Sequence, residues 1–528
     1  MRKSNPYKKI ISLFLIFILS IAVTSCGLKD ALQSDTGNSS SEEDTEESDD
    51  SDLDEDDEDA GPDAAEMDRP QPVAMRDYTT YYDDDNTLLM YTDISGIVLS
   101  EESAKDYPEL SAALNEDYDE YREYINGSVD ENVEFAKEFR GYNEYFNGFE
   151  QTRNPRVMRC DDRVLSIMYD YYGYLGGAHG DYYFGGYNYD VNTGKELSVK
   201  DVFKDTSNLN ATIKEKLYES YPESAEEFES FGLDETLENY LSGSEGYEYN
   251  FSMDLFGVTF QFGPYDLSSY AAGAESVYIP YSEMPDAFNE KYLPNYDIPQ
   301  IMPVYTGEFS TNLLKLGDDD SLDTLSVYGD LVSEYEMYEG VTIDTGKNKA
   351  SFNKDNMHYE MTASLILYPS GTRVLWVTEL MDNDGHVNSY YDITNGDIKE
   401  IGVKDDLKLQ MIEKTDQFTG KYVPVNPYHL HLAKRFDILS TYHGDKEYAL
   451  SEDGTLSASD DLFTVEQSVF DRDLTSTADI TGDIIDENGS VISENEVIPA
   501  GSSFTLYRTD GKNNDGDEAI VDAILSDG

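Results

Sequence analysis

The sequence predicts an α+β N-terminal domain, an antiparallel sheet with helices, followed by a mostly-β C-terminal region, behind an N-terminal signal and an acidic disordered tether. Three observations lead there. Apolar stripes at helical spacing occur at residues 110–125, 135–146 and 209–217. From Ile301 the pattern changes to strands and turns with few helical stripes. The 528 residues, 39% of them hydrophobic, supply more than one core and about two to four domains.

Taken in order, the chain opens with Arg2, Lys3, Lys8 and Lys9 before an apolar run from Ile10 to Val23, the layout of a secretory signal. The run ends in Val23-Thr24-Ser25-Cys26-Gly27. Small residues before a Cys resemble the lipobox of bacterial lipoproteins, so residues 1–25 are read as a lipoprotein signal peptide and Cys26 as the lipidated N-terminus. The alternative is an uncleaved anchor helix, for which the run is short. With Cys26 acylated, Cys160 is the remaining Cys and no intramolecular disulfide can form. Residues 26–70 form the tether: 19 acidic residues lie between Asp30 and Asp68 with nothing apolar enough to fold. Like charge extends such a segment; an acidic tail that recruits a partner is the other reading.

The first globular segment spans residues 71–294. Leu110, Leu114, Tyr118, Tyr121 and Ile125 share one helix face, and Phe135, Phe139, Tyr142 and Phe146 make a second stripe. Val164 to Tyr172 reads as a strand, and Tyr187 to Val191 as another, leading into the turn Asn192-Thr193-Gly194-Lys195. Asp205 to Asn208 offer N-caps for a helix with Leu209, Ile213 and Leu217 on one side. Val258, Phe260 and Phe262 alternate, and Val277 with Ile279 marks a further strand. Residues 301–470 read as a β-rich meander, with strand pairs around Pro369-Ser370-Gly371-Thr372 and Thr394-Asn395-Gly396-Asp397. Residues 471–528 read as a separate small β unit containing Phe504 to Arg508.

Within the first segment, six motifs occur in order: Tyr171 to Gly180, Asn188 to Lys195, Asp201-Val202-Phe203, Phe262-Gly263-Pro264-Tyr265, Tyr270-Ala271-Ala272-Gly273 and Val277 to Tyr281. Together they resemble the extracellular domain of unknown function shared by RsiV-type anti-sigma proteins, which sense lysozyme, and PdaC-type polysaccharide deacetylases. The resemblance covers about 220 residues. It implies an α+β domain outside the cell, concerned with envelope polymers or lysozyme recognition. It does not extend to a sigma-binding segment or to a deacetylase domain with an Asp-and-His metal site.

Charge narrows the partners. A net charge of −72, of which −59 falls on residues 70–528, repels nucleic acid and anionic lipid. It favours metal ions, basic peptides and basic proteins. The candidate contact residues are Gly176, Gly177, His179, Gly180 and Tyr265, where glycines around one histidine allow a tight turn or close backbone approach. His179 is read as satisfying backbone groups rather than as a base, since no nucleophile stands in a recognisable motif beside it. Arg153, Arg156, Arg159 and Arg163 are read as internal counter-ions, with an anionic wall polymer as the alternative, and Trp376 as a core anchor. No cofactor is expected, the acidic loops being read as solvated turns, with calcium as the alternative. Its candidate ligands are Asp318, Asp320 and Asp323 in one loop, and Asp382 and Asp384 in an incomplete calcium-loop pattern. His429 and His431, two apart, could share a transition metal. The expected function is a membrane-anchored, extracytoplasmic binding or sensing module for a cationic, lysozyme-like protein or an envelope polymer. The alternative is an envelope polysaccharide-modifying enzyme whose site includes His179.

Overall fold

The computed structural model describes residues 69–143, 145–317, 321–332, 337–382, 385–413, 418–438, 440–465, 474–485, 491–511 and 520–525. Cys26, the signal and all but the last two residues of the tether lie outside them. The fold is strand-rich, with helices and many antiparallel sheets.

The chain enters through two strands that the periodicity did not reveal, β1 (Pro72–Tyr82) and β2 (Leu88–Leu99), paired antiparallel. A long helix, Pro108–Arg140, follows. Proline in its first turn lacks the amide that would be unsatisfied there, and Leu110, Leu114, Tyr118, Tyr121, Ile125 and Val129 are buried on its inner face. The helix carries the chain back across the sheet, so β3 (Phe149–Cys160) runs parallel to β2, from Met90 opposite Phe149 to Ile94 opposite Arg153. The second stripe is not a second helix. Phe135 and Phe139 sit on the same helix, whereas Tyr142 and Phe146 follow its end, and the rings gather at 5.3 to 6.2 Å around Phe139. The strands β4 (Val164–Tyr174) and β5 (Asp181–Asp190) complete this side. On the other side, Phe418–Tyr422 pairs with β1 and Met411–Glu413 with Phe418–Tyr422, making seven strands.

A three-stranded sheet of β6 (Phe251–Met253), β7 (Gly257–Phe262) and β8 (Glu275–Pro280) forms the next layer. The helices Leu209–Ser220 and Leu233–Ser242 share its core, burying Leu209, Ile213, Leu217 and Leu237 with Val258, Phe260 and Ile279. It meets β5 through Gly186, where a Cβ would lie 2.0 Å from the carbonyl oxygen of Phe251. Asn188 donates to that same oxygen at 2.8 Å.

Beyond this, β9 (Gln300–Val304) flanks the expected meander, which forms a five-stranded sheet with β14 (Glu360–Leu367), β15 (Arg373–Leu380), β16 (His386–Asp392) and β17 (Lys399–Asp405). One face packs on the sheet of β10 (Asn312–Leu314), β11 (Asp323–Val332), β12 (Met337–Asp344) and β13 (Lys349–His358), through Leu325, Val341, Ile343, Leu365 and Val377. The other face buries Trp376 and Ile366 against Leu430, Leu432 and Leu450. Trp376 is the expected core anchor, its Nε1 donating to Asn388 Oδ1 at 2.9 Å. In the tail, Ser503–Thr509 pairs with Phe463–Val465 and so shares a sheet with the preceding region. The hairpin of Ile480–Ile485 and Val491–Ile498 forms its own two-stranded sheet. Among the described residues, no helix is long and apolar enough to cross a membrane.

Candidate functional site

The loop from β4 to β5 and the segment between β7 and β8 converge. At Gly176 and Gly177 the backbone adopts φ of 90° and 104°, values that favour glycine. A Cβ on Gly176 would lie 3.2 Å from the Phe139 ring, so the loop rests on the aromatic cluster at the helix end. A Cβ on Gly180 would lie 2.6 Å from the Tyr172 hydroxyl. From the opposite side Tyr270, in the short 3-10 turn Tyr270–Ala272, donates its hydroxyl to the Gly180 carbonyl at 2.6 Å. The His179 ring stacks on Tyr270 at 3.8 Å between centroids and 20° between planes. Tyr182 meets Tyr270 edge-on at 6.0 Å, and Tyr265 lies 5.8 Å away. Tyr265 has φ 72° and is 52% exposed, an unusual backbone state for a ring-bearing residue.

Of the expected contact residues, His179, Gly180 and Tyr265 meet around one ring platform with Tyr172, Tyr182 and Tyr270, whereas Gly176 and Gly177 lie in the loop beside it, Gly176 against Phe139. Tyr172, Tyr182 and Tyr270 had a sequence signal only as motif members or aromatic residues beside a glycine-rich loop. His179 is exposed, and its Nδ1 lies 3.0 Å from the Gly180 carbonyl oxygen. With the ring stacked on a tyrosine, this is a positioning arrangement and not the nucleophile–base contact of covalent catalysis. Burial pushes the Tyr270 hydroxyl up, with Tyr182 and Asp181 adding to the shift.

The arginine stretch turns inward. Arg153 is fully buried, 2.5 Å from Asp117 and 3.6 Å above the Tyr169 ring. Arg159 and Asp161 form a fully buried pair at 2.7 Å, with Arg159 also donating to the Tyr292 carbonyl. Arg156 lies over Tyr305 at 4.3 Å, and Arg163 donates to the Leu293 carbonyl at 3.0 Å.

Of the calcium candidates, Asp318, Asp320 and Asp384 lie outside the described residues. The Asp323 carboxylate takes Lys347 at 2.8 Å and the Leu316 amide at 3.2 Å; Asp382 accepts from the Tyr359 hydroxyl. His429 is bonded to Glu447, while His431, directly opposite Glu447 in the ladder, stacks on Tyr422 at 4.0 Å. Among the described residues, no group of three or more His, Cys, Asp or Glu side chains is placed to hold a metal ion.

One buried pair had no sequence signal. Glu379 and His358 are both fully buried at one end of the core between the two C-terminal sheets, with His358 Nε2 3.7 Å from Glu379 Oε1 and 3.1 Å from the Gly340 carbonyl oxygen. Burial raises the Glu379 carboxyl to about 7.

Comparison with known proteins finds likeness to a family of unknown function over part of the chain. No curated protein matches the chain. Among solved structures, a DUF3298 family member from Bacteroides fragilis is similar at 19% identity over 42% of this chain and 96% of its own, with a TM-score of 0.32. Another from Pseudomonas aeruginosa PAO1 is similar at 16% identity over 44% of this chain and 100% of its own, with a TM-score of 0.30. Residues 200–282, which include the platform's Tyr265 and Tyr270, match the family described as "Protein of unknown function (DUF3298)".

Proposed function

We propose that the chain is a cell-surface binding module, anchored by a lipid on Cys26 and held away from the membrane by its acidic tether, whose ring platform receives a cationic, lysozyme-like protein. One observation carries the reading: His179, Tyr265 and Tyr270 present accessible rings together on a chain with a net −59 over residues 70–528. Tyrosine faces attract Lys and Arg side chains, and the surrounding field steers a basic protein towards them. The expected order of events is long-range attraction by the acidic surface, then specific contact at the platform.

The test compares binding of the full chain to lysozyme with its binding to an unrelated protein of similar size and positive charge, at about 0.15 M salt, where exposed charges are screened within about 8 Å. A preference for lysozyme that is lost in Tyr265→Ala, with the melting temperature retained, supports the reading. Equal affinities for the two proteins overturn it. For the anchor, mass spectrometry of the membrane-bound form is expected to find a diacylated Cys26 at the N-terminus; an intact Met1 or a free Cys26 thiol overturns that part.

A further inference from the structure

The side of the seven-stranded sheet turned away from the long helix carries a row of side chains that starts at the platform's Tyr182 and Tyr172 and runs away from it across the strands. Tyr169 and Tyr171 of β4 point to the long helix: Tyr169 donates to Asp117, and the Tyr171 ring lies 5.3 Å from Tyr121. Side chains alternate along a strand, so their neighbours face the other way. On that side the register sets Tyr182, Tyr172, Thr152, Asp93 and Tyr78 directly opposite one another, one from each of β5, β4, β3, β2 and β1. Four inter-strand steps of about 4.8 Å make a row about 19 Å long. Tyr78 and Tyr172 are each 39% exposed, and Thr152, Asp93 and Tyr182 are partly exposed.

The charges on this row are matched locally. Arg76 holds Asp93 through two hydrogen bonds of 2.7 Å and lies 5.0 Å from the Tyr78 ring centroid. In the adjacent row Glu150 accepts the Tyr91 hydroxyl, and the Tyr91 ring lies 6.1 Å from Tyr78. Partly exposed rings at both ends, with a hydroxyl and a paired carboxylate between them, suit a ligand with apolar C–H faces and a fringe of hydroxyls. The Arg76–Asp93 pairing gives neither a phosphate nor an ammonium group an unmatched charge to seek. A shallow row across five strands suits an extended chain better than a compact molecule, which needs a concave pocket.

We propose that the row from Tyr182 to Tyr78 binds a stretch of a neutral, linear polysaccharide strand, the tyrosines stacking on sugar rings and Asp93 and Thr152 exchanging hydrogen bonds with sugar hydroxyls. The test is isothermal titration of the full chain with chitohexaose and with cellohexaose. Binding of at least one is expected. Tyr78→Ala should weaken it about tenfold, the scale of one lost aromatic stacking contact, and Tyr78→Phe should stay within about threefold of the parent. Tyr78 is at the far end of the row from the loop platform, so Tyr78→Ala should leave lysozyme binding unchanged and Tyr265→Ala should leave sugar binding unchanged. Absence of heat and of competition with both sugars overturns the proposal. So does unchanged sugar affinity in a folded Tyr78→Ala protein, or sugar binding that responds to Tyr265→Ala alone.

Discussion

Replacing Glu379 by Gln tests whether a buried carboxyl sets the pH dependence of the C-terminal sheets. Glu379 is fully buried, neither carboxylate oxygen has a partner at hydrogen-bonding geometry, and the nearby Asn356 does not offset the burial that raises it from 4.5 to about 7. At 1.36 kcal/mol per unit, the shift corresponds to about 3 kcal/mol. The sign follows from proton binding. The folded protein holds this proton more tightly than the unfolded chain does, so the stabilisation is fully present below about pH 4.5 and is lost as pH rises towards and through 7. Gln keeps the shape and stays neutral. Glu379→Gln is therefore expected to resemble the parent near pH 4.5 and to exceed it by up to about 3 kcal/mol at pH 8. Urea unfolding followed by Trp376 fluorescence is a local assay, because the single tryptophan lies on the same strand, β15, and is 4% exposed. A variant that is less stable than the parent at pH 8, or a difference that does not change between pH 5 and 8, would refute the reasoning and assign the counter-charge to His358.

Three other outcomes are expected. Gly186→Ala places a Cβ 2.0 Å from the Phe251 carbonyl oxygen, so it should separate β5 from β6 at a cost of about 3 kcal/mol or more, read as a lowered midpoint in thermal unfolding; an unchanged midpoint would mean the two sheets part freely. Asp161→Asn leaves the fully buried Arg159 without its carboxylate and should cost about 3–5 kcal/mol by chemical denaturation, whereas a loss below about 1 kcal/mol would show that backbone carbonyls suffice for that guanidinium. If Asp318, Asp320 and Asp323, or Asp382 and Asp384, form a calcium site, millimolar calcium should raise the melting temperature more than magnesium at equal ionic strength; equal shifts would leave charge screening alone.

The long helix was legible because its inner face repeats without interruption from Leu110 to Ile125. The first two strands were not, for two different reasons. In β1 the inner side runs Val73, Met75, Asp77, Thr79 and Tyr81, so polar Asp77 and Thr79 break the apolar period after four residues. In β2, Leu89 and Met90 are both fully buried although adjacent, which hides the period of two. The attachment of Phe418–Tyr422 to β1 joins residues more than 340 positions apart, and no local pattern encodes it. The same limit applies to the platform. The sequence supplied Gly176 to Gly180 and Tyr265 separately, but Tyr270 reaches Gly180 only because β6 and β7 pack beside β5. Glu379 is next to last in a mostly apolar strand, and nothing local marks it as buried; His358 of the sheet of β10 to β13 lies against it.

The placement of the basic residues makes the acidic surface more effective than composition implies. Arg69, Arg153 and Arg159 are among the largest fully buried side chains. Arg69 donates to the carbonyls of Pro299 and Val425 at 2.6 and 3.2 Å, while the other two hold Asp117 and Asp161. These guanidiniums neutralise the interior and are withdrawn from the exterior, where carboxylates outnumber the cations that remain. Self-repulsion should therefore oppose folding most at low ionic strength, where the Debye length is about 30 Å, and fade near 0.15 M, where it is about 8 Å. The melting temperature is expected to rise with sodium chloride over that range. Surface ion pairs such as Lys137–Glu134, 2.8 Å apart and exposed, would act in the opposite sense, but such pairs contribute at most about 1 kcal/mol. A melting temperature that falls or stays flat between 0.01 and 0.15 M salt would mean that local ion pairs outweigh the global repulsion.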